Sequence, residues 1–315
     1  MKNLLGIRHL EPAQIEELLW LGGDFKQRLK QGKPIDAVKK VVGMLFFEDS
    51  TRTRVSFEQA AYYLGMKSTN FSFAGSSMNK GETLKDTILT LRYERLDALV
   101  MRHRYSGSPG LAAQFFGGPV INAGDGRHEH PTQALADALT IIEKKGQLDG
   151  ITVAIVGDVE HSRVARSNAW LLSKMGATIR FVGPRTLLPA HAGLLPGQLY
   201  FDLEDGIKDA DVVMALRLQS ERMTRGIGSS VNEYARMYGI TRERLRWAAP
   251  DCILMHPGPM NRGVEVDDSA ADGEQSVINA QVENGIYVRM AALHWAFLDE
   301  SPKPAPKKSK KAVAK

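Results

Sequence analysis

Cysteine is almost missing from this chain: Cys252 stands alone among 315 residues. No intrachain disulfide can form, and the chain reads as a cytoplasmic protein. Cys252 falls in the apolar stretch DCILM and reads as an inert core residue rather than a reactive thiol. Long apolar runs are missing too. None approaches the ~20 residues that a membrane-spanning helix needs, which excludes a membrane partner on this reading. The opening MKNLLGIRHLEP lacks the apolar core of a signal peptide. Neither G-x-G-x-x-G nor a Walker A sequence occurs. Where a β-branched run gives way at Gly157, the chain continues Asp158-Val159-Glu160-His161-Ser162, which carries no dinucleotide fingerprint. No cofactor is called for.

One region has no acid. The last fifteen residues, SPKPAPKKSKKAVAK, hold six lysines, so the formal charge of +5 becomes −1 over residues 1–300. The body is therefore no basic platform for nucleic acid. The tail, 301–315, has the Pro/Ala/Lys composition of a disordered, solvated segment.

What is present alternates between helical and strand-like patterns. Glu11-Pro12 opens an amphipathic helix with Ile15, Leu18 and Leu19 on one face, weakened at Gly22-Gly23. Apolar strands are predicted over Val41–Phe47, Leu96–Met101 and Pro119–Asn122. A helix starts at Pro131 and ends at Gly146 with lysines in its last turn. The runs ITVAIVGD, TIRFVGP, DADVVMAL and DCILMHPGP read as further strands. This predicts an α/β protein of two doubly wound domains, each with its own core and a parallel sheet, and a site in the cleft between them. The boundary is placed near Gln147–Gly150, giving 1–148 and 149–300, with a last helix around Glu274–Leu298 packing back on the first domain.

The polar clusters gather where strands end. FFEDSTRTRVSFEQAA sets Ser50, Thr51, Arg52, Thr53 and Arg54 between a strand and a helical row (Val55, Phe57, Ala60, Ala61, Leu64). A helix start with hydroxyls and guanidiniums suits a phosphate. Arg102-His103 follows LDALVM, and His130-Pro131-Thr132-Gln133 opens a helix. Arg163 follows AIVGD, Arg217 and Gln219 follow VVMA, and His256-Pro257-Gly258-Pro259 follows ILM. Ser76 and Lys80 lie in the polar AGSSMNKGETLKDT. These groups are cations or neutral donors, with no pair of acids, serine elbow or thiol among them. They suit a multiply anionic substrate whose reaction needs positioning and charge stabilisation. Taken singly, each arginine is also compatible with a surface ion pair. His128-Glu129-His130 lacks the further Cys or His of a metal site, so no metal is called. His103 and His161 read as structural, and Glu48 and Asp86 as ion-pair partners that orient arginines.

Seven of these motifs, STRTR, SSMNKGETLKDT, VMRH, HPTQ, the Arg of GDVEHSR, RLQ and HPGPMNRGVE, resemble in content and order the catalytic chains of the aspartate carbamoyltransferase family. The resemblance covers all but the lysine tail. It implies transfer of the carbamoyl group of carbamoyl phosphate to L-aspartate, in pyrimidine biosynthesis. It implies that Ser50, Thr51, Arg52 and Thr53 hold the phosphate, and that Arg102, His130 and Thr53 polarise the carbamoyl oxygen. By the same resemblance Gln133 accepts from the carbamoyl amide, and the backbone at Gly258 and Pro259 completes that pocket. Arg163, Arg217 and Gln219, with Lys80, hold aspartate. Ser76 and Lys80 come from the neighbouring subunit of a homotrimer. Such trimers occur alone, with regulatory chains or with dihydroorotase-like partners, and all three arrangements stay open. Ornithine carbamoyltransferases are the alternative, but they carry H-C-L-P where this chain has His256-Pro257-Gly258-Pro259 and lack the Arg217-Leu218-Gln219 pattern. A non-catalytic subunit of the same fold is a second alternative, opposed by the retention of every expected polar group.

Overall fold

The computed structural model describes residues 1–71, 82–190, 193–219 and 231–298. The predicted Ser76, Lys80 and lysine tail lie outside the described residues. The first helix, α1 (Pro12–Lys30), has Pro12 at its first position, and the Gln14 side chain accepts from the Glu11 N–H at 2.9 Å. It runs through Gly22-Gly23 without a break. A Cβ at Gly22 would lie 3.3 Å from Val288, so this glycine permits close helix packing rather than weakening α1.

Four parallel strands form the first sheet: β1 (Val41–Phe46), β2 (Lys67–Phe71), β3 (Ala98–His103) and β4 (Val120–Asp125), in the order β2-β1-β3-β4. The connecting helices are α2 (Thr51–Tyr63), α3 (Leu84–Tyr93) and α4 (Ser108–Phe116), and α5 (Pro131–Lys145) follows β4. A second parallel sheet orders its strands β7-β6-β5-β8-β9. These are β5 (Thr152–Val156), β6 (Thr178–Val182), β7 (Gln198–Tyr200), β8 (Val212–Ala215) and β9 (Ile253–Met255). Helices α6 (Arg163–Lys174), α7 (Leu203–Ile207) and α8 (Val231–Tyr238) accompany it, and α9 (Asp268–Ala271) and α10 (Ile278–Trp295) follow β9. Edge strands β2 and β7 escape the sequence reading because they are short and at most half-buried, so they give no apolar run.

Period-two alternation explains why the central strands read as continuous apolar runs. Val42, Met44, Val100, Val153, Ile155, Val212 and Met214 all enter one large core cluster. Leu45, Leu99 and Met101 point into a second cluster, and Ala154, Val156, Val213 and Ala215 into a third. The inner faces of both sheets therefore share one continuous core, where two separate ones were expected. Helix α10 packs on α1, α5 and α2. Buried Lys26 of α1 donates to Asn284 of α10 at 2.7 Å, and Trp295 Nε1 to Glu17 at 2.7 Å. Val55, placed on the apolar row of α2, is instead exposed, whereas Phe57, Ala60, Ala61 and Leu64 are buried.

In both sheets the chain order reverses at one point, between β1 and β3 and between β5 and β8. Loops leaving the carboxyl ends of such strand pairs diverge and leave a crevice.

Candidate active site

Both crevices open into one cavity of about 970 Å³. Of the predicted site residues, Ser50, Thr51, Arg52, Thr53, Arg102, His130 and Gln133 line it from the first sheet's side, and Arg163, Arg217, Gln219, Gly258 and Pro259 from the second. Among the described residues that line it are seven arginines and two acids, Glu48 and Asp49, so the local field is cationic.

The first-sheet wall follows from the strand ends. Phe46 pairs in register with Arg102, and the Phe47 N–H donates to the Arg102 carbonyl at 2.9 Å. This sets the start of α2 beside the Arg102 side chain. Ser50 is the N-cap of α2, yet its side chain caps none of the first N–H groups. The positive end of the helix therefore faces the cavity with hydroxyls and a guanidinium beside it, an arrangement fitted to a phosphate. Helix α5 starts at the same cavity. The His130 N–H donates to Ser167 Oγ at 2.8 Å, and Ser167 Oγ donates to the buried Glu129 carboxylate at 2.8 Å. Glu129 also accepts from the Ile7 N–H at 2.7 Å, so the N-terminal segment braces the start of α5. His128 points elsewhere and pairs with Asp125 at 3.0 Å, which raises its pKa. Among the described residues no group of three His, Cys, Asp or Glu side chains could hold a metal ion.

On the second-sheet wall, Gly157 ends β5 with φ +125°, and a Cβ there would lie 2.9 Å from the Leu216 carbonyl. Only glycine lets the turns after β5 and β8 approach this closely. Buried Asp158 joins them: it accepts from His161 Nδ1 at 2.8 Å and from the Gln219 N–H at 3.3 Å. Buried Glu265 accepts from the Leu218 N–H at 2.9 Å and the Asn261 N–H at 2.7 Å. Arg163, 4% exposed at the start of α6, reaches across the cleft to Glu48 Oε2 at 2.9 Å, and Arg102 Nε donates to the same oxygen at 3.2 Å. Glu48 thus orients two arginines from opposite walls. Among the described residues Asp86 does not share that role. It closes the first turn of α3 through Thr83, whose Oγ1 donates to it at 2.6 Å.

The loop after β9 is held from within. The His256 N–H donates to Gln281 Oε1 at 2.8 Å, and the Gly258 N–H donates to His256 Nδ1 at 2.9 Å. Burial first, then Arg52 and Arg217, push the His256 pKa down to about 4. Gly258 has φ +67°, and a Cβ there would stand 3.3 Å from the Arg52 guanidinium carbon. Burial, and then Arg217, also lower the pKa of Arg52. Guanidiniums from the two walls are therefore close enough to repel each other, and an anion between them relieves that repulsion.

Some lining residues were not singled out from the sequence, among them Arg289 and Gln281 of α10. Arg289 carried one signal: it interrupts the apolar row Val288, Met290, Ala291. It is buried, donates to Ser56 Oγ at 2.8 Å and lies over the Phe57 ring. Cys252 is buried, and burial pushes its thiol pKa up to about 12, far from a reactive thiolate.

Comparison with known proteins agrees with this geometry. Residues 2–143 match the carbamoyl-P binding domain of aspartate/ornithine carbamoyltransferase, and residues 149–296 match the Asp/Orn binding domain. The aspartate carbamoyltransferase catalytic subunit of Gluconacetobacter diazotrophicus is 54% identical over 93% of this chain and 92% of its own length. That of Acidiphilium cryptum is 51% identical over 93% and 95%. Among solved structures, aspartate transcarbamoylase from Trypanosoma cruzi in complex with carbamoyl phosphate and aspartate superposes with a TM-score of 0.85 at 33% identity, covering 95% of this chain and 97% of that one. Ornithine carbamoyltransferase from Pyrococcus furiosus gives 0.82 at 31%, covering 93% and 96%, so the fold alone does not separate the two substrates. The chain belongs to the aspartate/ornithine carbamoyltransferase family.

Proposed function

We propose that this enzyme transfers the carbamoyl group of carbamoyl phosphate to the amine of L-aspartate, giving N-carbamoyl-L-aspartate and phosphate for pyrimidine synthesis in the cytoplasm. The observation that carries this reading is the pairing of walls: a phosphate-suited helix start on one side and Arg163, Arg217 and Gln219 on the other, in one cavity. Residues 1–148 form the carbamoyl phosphate half and 149–300 the aspartate half. Ser50, Thr51, Arg52 and Thr53 hold the phosphate; Arg102, His130 and Thr53 face the carbamoyl oxygen; Gln133, Gly258 and Pro259 enclose the carbamoyl nitrogen. The aspartate amine attacks the carbonyl carbon, the tetrahedral oxyanion is met by donors already in place, and the bond to the phosphate oxygen breaks. Among the described residues no lining carboxylate is suited to take the amine proton. Glu48 is held by two arginines and Asp49 is exposed, so the departing phosphate takes it. The assembly is a homotrimer in which Ser76 and Lys80 serve the neighbouring subunit's site, alone or with regulatory or dihydroorotase-like chains.

Ornithine is disfavoured because its side-chain ammonium would meet Arg163 and Arg217. The test is a product assay with carbamoyl phosphate and either amino acid. Carbamoyl aspartate is expected; turnover with ornithine alone would refute the reading. Arg217→Ala should raise the aspartate KM about 10-fold or more, the loss of one charge-assisted bond, with carbamoyl phosphate binding nearly intact.

A further inference from the structure

Asp137 is fully buried in α5, one turn beyond Gln133, and no part of it lines the cavity. Its Oδ1 accepts from Gln133 Nε2 at 2.8 Å and from Gln281 Nε2 at 2.9 Å, and its Oδ2 accepts from Asn168 Nδ2 at 2.7 Å. Arg289, the remaining charged group facing it, adds an attractive field. Burial raises the Asp137 pKa, and the three amide donors and Arg289 oppose that rise. An acid in this position, inside the otherwise small and apolar run ALADALT, is expensive unless its donors are fixed.

The consequence lies with Gln133. A side-chain amide has one donating and one accepting end that differ little in shape, so its orientation is set by what its neighbours demand. As a carboxylate, the form that its three amide donors and Arg289 favour, Asp137 can only accept, which commits the Gln133 nitrogen to it and leaves Oε1 as the end available to the cavity. We propose that Asp137 is a positioning residue that locks the Gln133 amide with its oxygen toward the carbamoyl group, so that the site selects an acyl phosphate bearing NH₂ over one bearing CH₃. This rests on the carbamoyl transfer reading above. A methyl group offers that oxygen no proton, and a buried acceptor left without a partner is penalised.

The test compares carbamoyl phosphate with acetyl phosphate, which carries a methyl in place of the NH₂, and with inorganic phosphate. In Asp137→Asn, whose own NH₂ lets Gln133 turn over, the carbamoyl phosphate KM should rise roughly tenfold, the worth of one such bond. The inhibition constant of inorganic phosphate, which does not reach the Gln133 oxygen, should stay within about twofold, and that of acetyl phosphate should not rise, because an amide free to turn no longer sets an unpartnered oxygen against the methyl. If Asp137 acts through Gln133, the effects are non-additive: in a Gln133→Ala background Asp137→Asn should leave the preference unchanged. The proposal is overturned if the preference is unmoved in Asp137→Asn, if it shifts equally in the Gln133→Ala background, or if inorganic phosphate loses affinity by the same factor as carbamoyl phosphate. Should Asp137→Asn not fold, Asp137→Ser, too short to reach the amide, carries the same comparison. The unsubstituted enzyme is the control for the wider reading: no carbamoyl aspartate from it refutes the function itself, whereas normal turnover with an unmoved preference refutes Asp137 alone.

Discussion

The neutral state of His256 has a measurable cost in stability. In the folded protein its pKa lies at about 4, whereas an exposed histidine in the unfolded chain titrates near 6.5. Between these values the unfolded state binds the extra proton and the folded state does not, so acid favours unfolding. The stability is complete above about pH 6.5, falls as pH drops, and loses nothing more from this group below about pH 4. Going from pH 7 to pH 5, two binding polynomials with these pKa values give a loss on the order of 2 kcal/mol. His256→Asn isolates the effect, because the asparagine Oδ1 can stand where Nδ1 accepts from the Gly258 N–H and it does not titrate. The assay is urea unfolding of both proteins at pH 7 and pH 5 at one protein concentration. The wild type should lose about 2 kcal/mol more than the variant, all other titrating groups being common to both. Equal losses would show that His256 is not held neutral, and the account of the loop after β9 would fall.

Two further outcomes follow from the site. Gly258→Ala forces a side chain into a left-handed backbone, at about 1–2 kcal/mol, and presses on Arg52; the carbamoyl phosphate KM should rise while the aspartate KM at saturating carbamoyl phosphate stays close to normal, and unchanged kinetics would refute the contact. If Lys80 serves a neighbouring subunit, Lys80→Ala and Arg52→Ala proteins should each be nearly inactive, yet equal mixing after dissociation should restore about a quarter of the sites in a heterologous ring; no recovery in mixed trimers verified by mass spectrometry would refute the shared site.

Much of this fold was legible because parallel strands buried on both faces leave uninterrupted apolar runs. Residues 41–46, 152–156 and 212–215 announce themselves in that way. Edge strands β2 and β7 do not, since KSTNF and QLY carry no buried row. Val55 shows the opposite failure, an apolar residue at helical spacing that the packing leaves exposed. The site was legible where a motif ends a strand, because the carboxyl end of a parallel strand at a switch point is where a crevice must form. Pairings across long separations were not. The Glu48–Arg163 contact spans 115 positions and the Asp137–Gln281 contact 144, and no local pattern encodes either. Asp137 had only a weak signal, a charge set in ALADALT, whereas Glu48 read as an ion-pair partner of an arginine whose identity the sequence left open.

Those long-range pairings explain how a body of formal charge −1 presents a cationic cavity. Glu129 stands behind His130 through Ser167, and Asp137 behind Gln133. Asp158 stands behind Gln219, and Glu265 beside Arg217 through the Leu218 N–H. All four acids are 1% exposed or less. Each accepts hydrogen bonds from a cavity-lining polar group or its scaffold, so its charge is spent on fixing that group's direction. Seen from the cavity, the guanidiniums and N–H groups are nearer than the carboxylates, and proximity decides the sign of the field at a bound anion. The cost of gathering Arg52 against Arg217 is met at folding, when the buried acids lock the walls in place. In the proposed reaction little reorganisation is then left for the moment when the tetrahedral oxyanion and the departing phosphate need charge stabilisation.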